Sequence, residues 1–501
     1  MEEATLIQLQ DAQAAGQLSA RQLVEYYLER IETLDRQGPQ LHAVIEINPD
    51  ALEIVDQLDQ ERARQGARSA LHGIPILLKE NIATTDRMQT TAGSLALLGA
   101  RPAQEAWVAR QLRAAGAVII GKANLSEWAN FRSSHSSSGW SARGGQCRNP
   151  YILDRTPCGS SSGSAVAVSA NLVAVSLGTE TDGSILCPAA INGVVGIKPT
   201  VGLVSRAGVI PIAHSQDTVG PFGRTVADAA AVLGILTGED PDDPATRSSN
   251  GQALRDYTRF LDPDGLRGAR IGIAREVYCG YSAHADRVVN AAIEQMRALG
   301  AEIIDPADIP TAKQMDSTEA EMTVLRYEFK ADLNRYLAGL SSSPVRTLAE
   351  IIEFNRDHAE QELPYFGQEI FEQAQATTSL DDPTYLEALE TSHRLARQEG
   401  IDAVMERYSL DALVMPSNGP AWCIDLVNGD PHGGGSSSQP AALAGYPAIS
   451  VPAGEAHGLP VGITFMGRAF SEPTLIKLAY AYEHHTPMRR PPQFLPTLPI
   501  R

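Results

Sequence analysis

From residue 19 to residue 34 the apolar residues Leu23, Val24, Tyr27, Leu28, Ile31 and Leu34 recur at intervals of three and four, which places them on one face of an α-helix. Ser19 followed by Gln22 has the form of a capping box, so the helix is expected to start there. From about residue 71 the pattern changes. Short, almost wholly apolar runs at 74–78, 117–120 and 172–177 alternate with helical stretches such as 107–115. A run without polar alternation suits a strand covered on both faces, and strands of that kind belong to parallel sheets flanked by helices. Further strands are expected at 270–274, 411–415, 448–451 and 461–465, with a helix at 283–299. Residues from about 310 to 405 carry long helical patterns and little strand character.

The architecture expected is therefore one large α/β/α domain, residues 1–501, around a central mixed, largely parallel β-sheet. Its catalytic core spans about 70–235, a helical insertion about 310–405, and the C-terminal completion of the sheet about 406–501. Gly/Ser-rich patches lie between apolar elements and mark no linker.

Composition narrows the function. Hydrophobic residues make up 43% and charged residues 20%, as in ordinary globular proteins, and no run approaches the roughly 18–20 apolar residues of a membrane span. Sixty acidic against 41 basic side chains give a net charge of −19, which repels phosphate backbones, so nucleic acid is not an expected partner. The start, Met1-Glu2-Glu3-Ala4, has neither a basic nor an apolar leader region, so no signal peptide and a cytoplasmic location are expected. Five scattered cysteines, Cys147, Cys158, Cys187, Cys279 and Cys423, never spaced C-x-x-C, are expected to be reduced and mostly buried.

Three segments carry candidate chemistry. The first, Arg155-Thr-Pro-Cys-Gly-Ser-Ser-Ser-Gly-Ser-Ala-Val-Ala-Val168, admits several readings. A linker conflicts with the packing residues 165–170 that follow. A phosphate cradle would need a Lys after the second glycine. A nucleophile elbow around Ser161 fits G-x-S-x-G, but a loop with two prolines precedes it where a buried strand is required. In the second segment, Leu177-Gly-Thr-Glu-Thr-Asp-Gly-Ser-Ile-Leu-Cys-Pro-Ala-Ala190, an apolar strand runs into a turn. Ser184 stands there just ahead of Pro188, a residue suited to a first helical turn. Backbone amides converging at such a turn can hold an oxyanion, although a turn or cap serine is the plainer reading. The third, Leu71-His-Gly-Ile-Pro-Ile-Leu-Leu-Lys-Glu-Asn81, ends an apolar strand in Lys79, either a base or an exposed partner of Glu80.

Together and in this order, these segments resemble the amidase signature family. So do Gly121-Lys-Ala-Asn-Leu-Ser-Glu127, Arg148-Asn-Pro150 and Gly193-Val-Val-Gly-Ile-Lys-Pro199. The resemblance implies a Ser–cis-Ser–Lys triad on Ser184, Ser160 and Lys79, with Ser160 joined to Gly159 through a cis peptide. It also implies an oxyanion hole from the amides of Thr181, Asp182, Gly183 and Ser184, and an acyl-enzyme mechanism that uses water and no metal or other cofactor. Lys79 must be lowered from about 10.4 to near neutrality to serve as the base. Leu186 stands where many members have Arg, and Asp182 where they have Gly. The variant Thr-Asp-Gly-Ser-Ile-x-Cys-Pro, with Asn124-Leu-Ser-Glu-Trp-Ala-Asn-Phe131, looks most like the bacterial peptide amidases, which implies hydrolysis of peptide C-terminal carboxamides. Asn130 and Phe131 are then expected along the acyl pocket, with core packing an equal role for Phe131. Alternatives are a general acyl amidase, a glutaminase subunit of a tRNA-dependent amidotransferase, a hydrolase using Ser161 or Cys187, and a non-catalytic scaffold. The sequence is compatible with a monomer.

Overall fold

The computed structural model describes residues 1–431 and 436–499. Eleven strands form the main sheet: β1 (Val44–Ile47), β2 (Pro75–Lys79), β3 (Val118–Ala123), β4 (Val175–Glu180), β5 (Val195–Lys198), β6 (Thr218–Gly223), β7 (Arg270–Ile273), β8 (Glu302–Ile304), β9 (Ala412–Pro416), β10 (Ala448–Ala456) and β11 (Leu459–Met466). Their spatial order is β1-β3-β2-β4-β6-β5-β10-β11-β9-β7-β8. The parallel character is concentrated in two blocks, β3-β2-β4 and β9-β7-β8, and the ladders elsewhere in the sheet are antiparallel. Every residue of β2, β3, β4, β6 and β11 is buried, as strands covered on both faces require.

Helices cover the sheet where the sequence periodicity places them. Ser19 caps the helix Ala20–Arg30 with the full reciprocal box to Gln22, and the helices Trp107–Ala114 and Ala283–Ala298 end within a residue of expectation. Residues 312–408 are mainly helical, led by Ala320–Ala338. These helices build a second apolar core, in which Phe329 stacks on Phe371 at 5.1 Å between ring centres and meets Phe131 edge-on at 5.1 Å. That core rests on the segment that follows β3, and so lies over the end of the sheet where β2 and β4 terminate. Strands β1, β5, β6 and β8 were not expected. In β6, Thr-Val-Gly-Pro-Phe-Gly, the Gly and Pro content hides a strand that its antiparallel neighbours β4 and β5 nevertheless hold.

Candidate active site

Parallel pairing of β2 with β4 sets Leu78 opposite Leu177, which brings Lys79, the last residue of β2, beside Gly178 and Thr179. The Lys79 ammonium is fully buried and donates to the Thr179 carbonyl at 3.1 Å and to Thr179 Oγ1 at 2.9 Å. It lies 2.7 Å from Ser160 Oγ. Ser160 Oγ in turn lies 2.8 Å from Ser184 Oγ. Glu80 does not pair with Lys79. It leaves the opposite side of the chain and accepts from Thr91 N, Gly93 N and Arg143. Burial, opposed only in part by the negative charges of Asp217 and Glu180, pushes Lys79 down to about 7.

The Gly/Ser run is a rigid turn entering the helix Ser162–Ser169, every residue of which is buried. The peptide between Gly159 and Ser160 is cis. The Ser160 carbonyl accepts from Ser126 N at 3.1 Å, and Ser161 N donates to the Ser184 carbonyl at 3.2 Å. A side chain at Gly159 would place its Cβ 2.2 Å from Ser126 Oγ, so only glycine permits this approach. Ser161 Oγ donates to the Thr179 carbonyl at 3.0 Å and accepts from Thr179 N at 3.3 Å, which gives it a structural post away from Ser184.

After β4 the chain turns through Thr181, Asp182 and Gly183 into the short helix Leu186–Ile191. Gly183 holds a left-handed φ of +78°, the conformation glycine adopts without steric cost. Two carboxylates pin the turn from either end. Glu180 Oε2 accepts from Ile185 N at 2.6 Å and Leu186 N at 2.9 Å, and Asp217 Oδ1 accepts from Thr181 Oγ1 at 2.6 Å. The amides of Thr181, Asp182, Gly183 and Ser184 donate to no described residue. Four donors are thus left free beside Ser184 Oγ.

A cavity of about 420 Å³ opens at this turn, bounded by Asn130, Phe131, Gly159, Gly183, Met322 and Trp422. Trp128, Ala129 and Asn130 all have left-handed φ values of +50° to +68°, a run that non-glycine residues adopt only when their surroundings impose it. This twist sends Asn130 to the cavity, where its Nδ2 donates to Ser138 Oγ at 3.2 Å. Phe131 faces both ways, lining the cavity and packing on Phe329.

The cysteines are not all reduced, contrary to what the sequence leads one to expect. Cys158 and Cys187 form a disulfide, with Cα atoms 6.1 Å apart, while Cys147, Cys279 and Cys423 are free thiols. The pairing follows from the fold, which brings the residue before Gly159 against the helix after Ser184. No local spacing rule can register that approach. The bond joins the segments bearing Ser160 and Ser184, and it removes Cys187 from consideration as a thiolate. The sequence reading also missed Thr179, Asn81, Glu180 and Asp217. Asn81 Nδ2 donates to Thr179 Oγ1 at 3.0 Å and completes the cradle around Lys79.

A family model described as amidase matches residues 22–476. The chain belongs to the amidase signature family. It is an amide-hydrolysing enzyme of a fold shared with solved amidases. It is 45% identical over 502 residues to a probable amidase of Arabidopsis thaliana, covering 99% of this chain and 92% of that protein. The native peptide amidase of Stenotrophomonas maltophilia superposes with a TM-score of 0.93 at 53% identity, over 98% of this chain and 99% of that one. One of the subunits of the glutamyl-tRNA(Gln) amidotransferase from a Cyanothece species is 35% identical, over 97% of this chain and 98% of its own length.

Proposed function

We propose that the enzyme hydrolyses the C-terminal carboxamide of peptides to a carboxylate and ammonia through an acyl-enzyme on Ser184. The observation that carries the reading is the unbroken chain from Lys79 Nζ through Ser160 Oγ to Ser184 Oγ, at 2.7 Å and 2.8 Å. With Lys79 neutral, two N–H bonds serve the Thr179 oxygens and the nitrogen lone pair faces Ser160. As Ser184 Oγ attacks the carbonyl carbon, its proton passes to Ser160 Oγ, and the Ser160 proton passes to Lys79 Nζ. The free amides of residues 181–184 receive the negative charge on the carbonyl oxygen. Collapse breaks the C–N bond, and the proton held on Lys79 returns along the same path to the leaving nitrogen. Water then repeats the sequence on the ester and frees Ser184.

The peptide preference is supported by the likeness to the Stenotrophomonas maltophilia peptide amidase over nearly the whole chain. The likeness to a component of the glutamyl-tRNA(Gln) amidotransferase favours a second reading, a glutaminase that works within a complex. Ammonia release by the isolated chain from peptide amides, small acyl amides and glutamine separates the two. Peptide amides are expected to turn over without any partner, and Ser184→Ala to lose at least roughly a thousandfold in kcat. Activity on glutamine alone, or only with added partner proteins, would sink the peptide reading. The Cys158–Cys187 disulfide also bears on location, since such bonds persist in oxidising compartments, and it weighs against the cytoplasmic expectation.

A further inference from the structure

Hydrolysis of a primary amide releases a single nitrogen, so the rest of the substrate lies on the acyl side and must occupy the 420 Å³ cavity beside Ser184. Asp182 and Asp430 are the charged side chains in that wall, and among the described residues no Lys, Arg or His lines it. Asp430 accepts from Trp422 Nε1 and from Ser138 N, both at 2.9 Å, as a carboxylate does. Behind Asp182 stands buried Glu321, whose two oxygens accept from Gln216 Nε2 at 3.1 Å and Gln439 Nε2 at 2.9 Å. Neither donor brings a positive charge. Burial and the neighbouring Glu321 carboxylate hold the Asp182 carboxyl well above its ordinary value. Lys198 acts on Asp182 from a distance, and its ammonium donates to the Tyr446 and Pro199 carbonyls at 2.7 Å and 3.3 Å.

We propose that the Asp182–Glu321 pair makes the acyl pocket select by charge, admitting acyl groups that are neutral or cationic near the scissile carbonyl and rejecting those that carry a carboxylate. The inference rests on the reading of Ser184 and this cavity as the substrate site. A like charge brought into the cavity against these acidic groups is less screened than it would be in bulk solvent and is discriminated against strongly. The same field acts on the product. Hydrolysis creates a carboxylate in the pocket, and repulsion from the pair promotes its departure.

The test compares kcat/KM for the α-amides of N-acetylglutamate, N-acetylmethionine and N-acetyllysine, first at low salt and then at about 0.5 M salt. The glutamate amide should fall at least roughly tenfold below the methionine amide, with the lysine amide equal to it or above. That gap should narrow by roughly threefold or more at high salt and, independently, in Glu321→Gln. A structural role for Glu321 would lower all three rates together and leave their ratio unchanged. Glutamate and methionine amides within a factor of about two of each other overturn the proposal, as does a gap insensitive to both salt and the substitution. The salt series needs only the unaltered enzyme, so it decides the matter even where Glu321→Gln fails to fold. If no peptide amide is hydrolysed, the peptide reading fails by itself. Charge selection is then read from hexanamide against adipic acid monoamide, where equal rates refute it and a roughly tenfold deficit for the acid upholds it.

Discussion

At the scale of single residues, Lys79 carries the sharpest consequences, because a base that titrates at about 7 divides activity from stability. Below that value the amine is protonated, so kcat/KM should fall about tenfold for each pH unit between 6 and 4. A rate that stays flat across this range excludes Lys79 as the base. The sign for stability is the reverse of what its hydrogen bonds suggest. Its folded value is depressed below the ordinary 10.5, so between pH 7 and 10.5 the unfolded chain binds the extra proton and stability rises with pH. At neutral pH burial of Lys79 is therefore a cost, and Lys79→Met, apolar and of similar length, should abolish turnover yet raise stability by about 1–3 kcal/mol. Calorimetry at pH 7 checks this. The three residues that meet in the hydrogen-bonded chain could be named from sequence because each sits in a long, distinctive segment. Thr179 could not, because its contact with Lys79 depends on which strands pair and in what register.

At the scale of elements, the turn between β4 and the helix Leu186–Ile191 is held by Glu180, whose Oε2 accepts two backbone amides. Glu180→Ala leaves both donors unmet in a buried site and frees the turn. It should cost about 2–4 kcal/mol of stability and lower kcat roughly a hundredfold or more, with KM less affected. Glu180→Gln keeps an acceptor in place and should recover most of both. Loss of activity equal in the two variants would show that charge, and not the hold on the turn, is what matters. Elements of this kind were unevenly legible. Strands β2, β3 and β4 stand out as apolar runs because both their faces are covered. Strands β5, β6 and β8 are short or broken by Gly and Pro, and exist because neighbours already in place supply their hydrogen bonds. The Cys158–Cys187 bond belongs with them, since it depends on two segments that only the finished sheet brings together.

Across the whole molecule, buried carboxyl groups set a pH dependence of stability that opposes that of catalysis. Burial raises Asp35 to about 7, Asp217 to about 6 and Glu483 to about 8. A carboxyl whose folded value is raised contributes stability that is complete below its unfolded value and is lost as pH climbs through the folded one. The window for these three therefore runs from about pH 4 to pH 8. Two histidines, His42 and His393, are lowered by burial and act in the other direction, but only up to their ordinary 6.5. His214, raised by its bond to Asp332, adds to the loss above that point. Lys79 begins to compensate only from pH 7 upward. Tm should accordingly be higher at pH 6 than at pH 7.5, over the same interval in which kcat/KM rises. Glu483 tests whether the carboxyls are responsible. Both its oxygens accept from Val226 N at 3.0 Å, at the start of the helix Val226–Leu236, so Glu483→Gln retains an acceptor while removing the titration. The substitution should stabilise the fold by about 1–3 kcal/mol at pH 7.5 and by much less at pH 5. An equal effect at the two pH values would mean that the Glu483 proton is not taken up on folding, and the descent of Tm would then need another source.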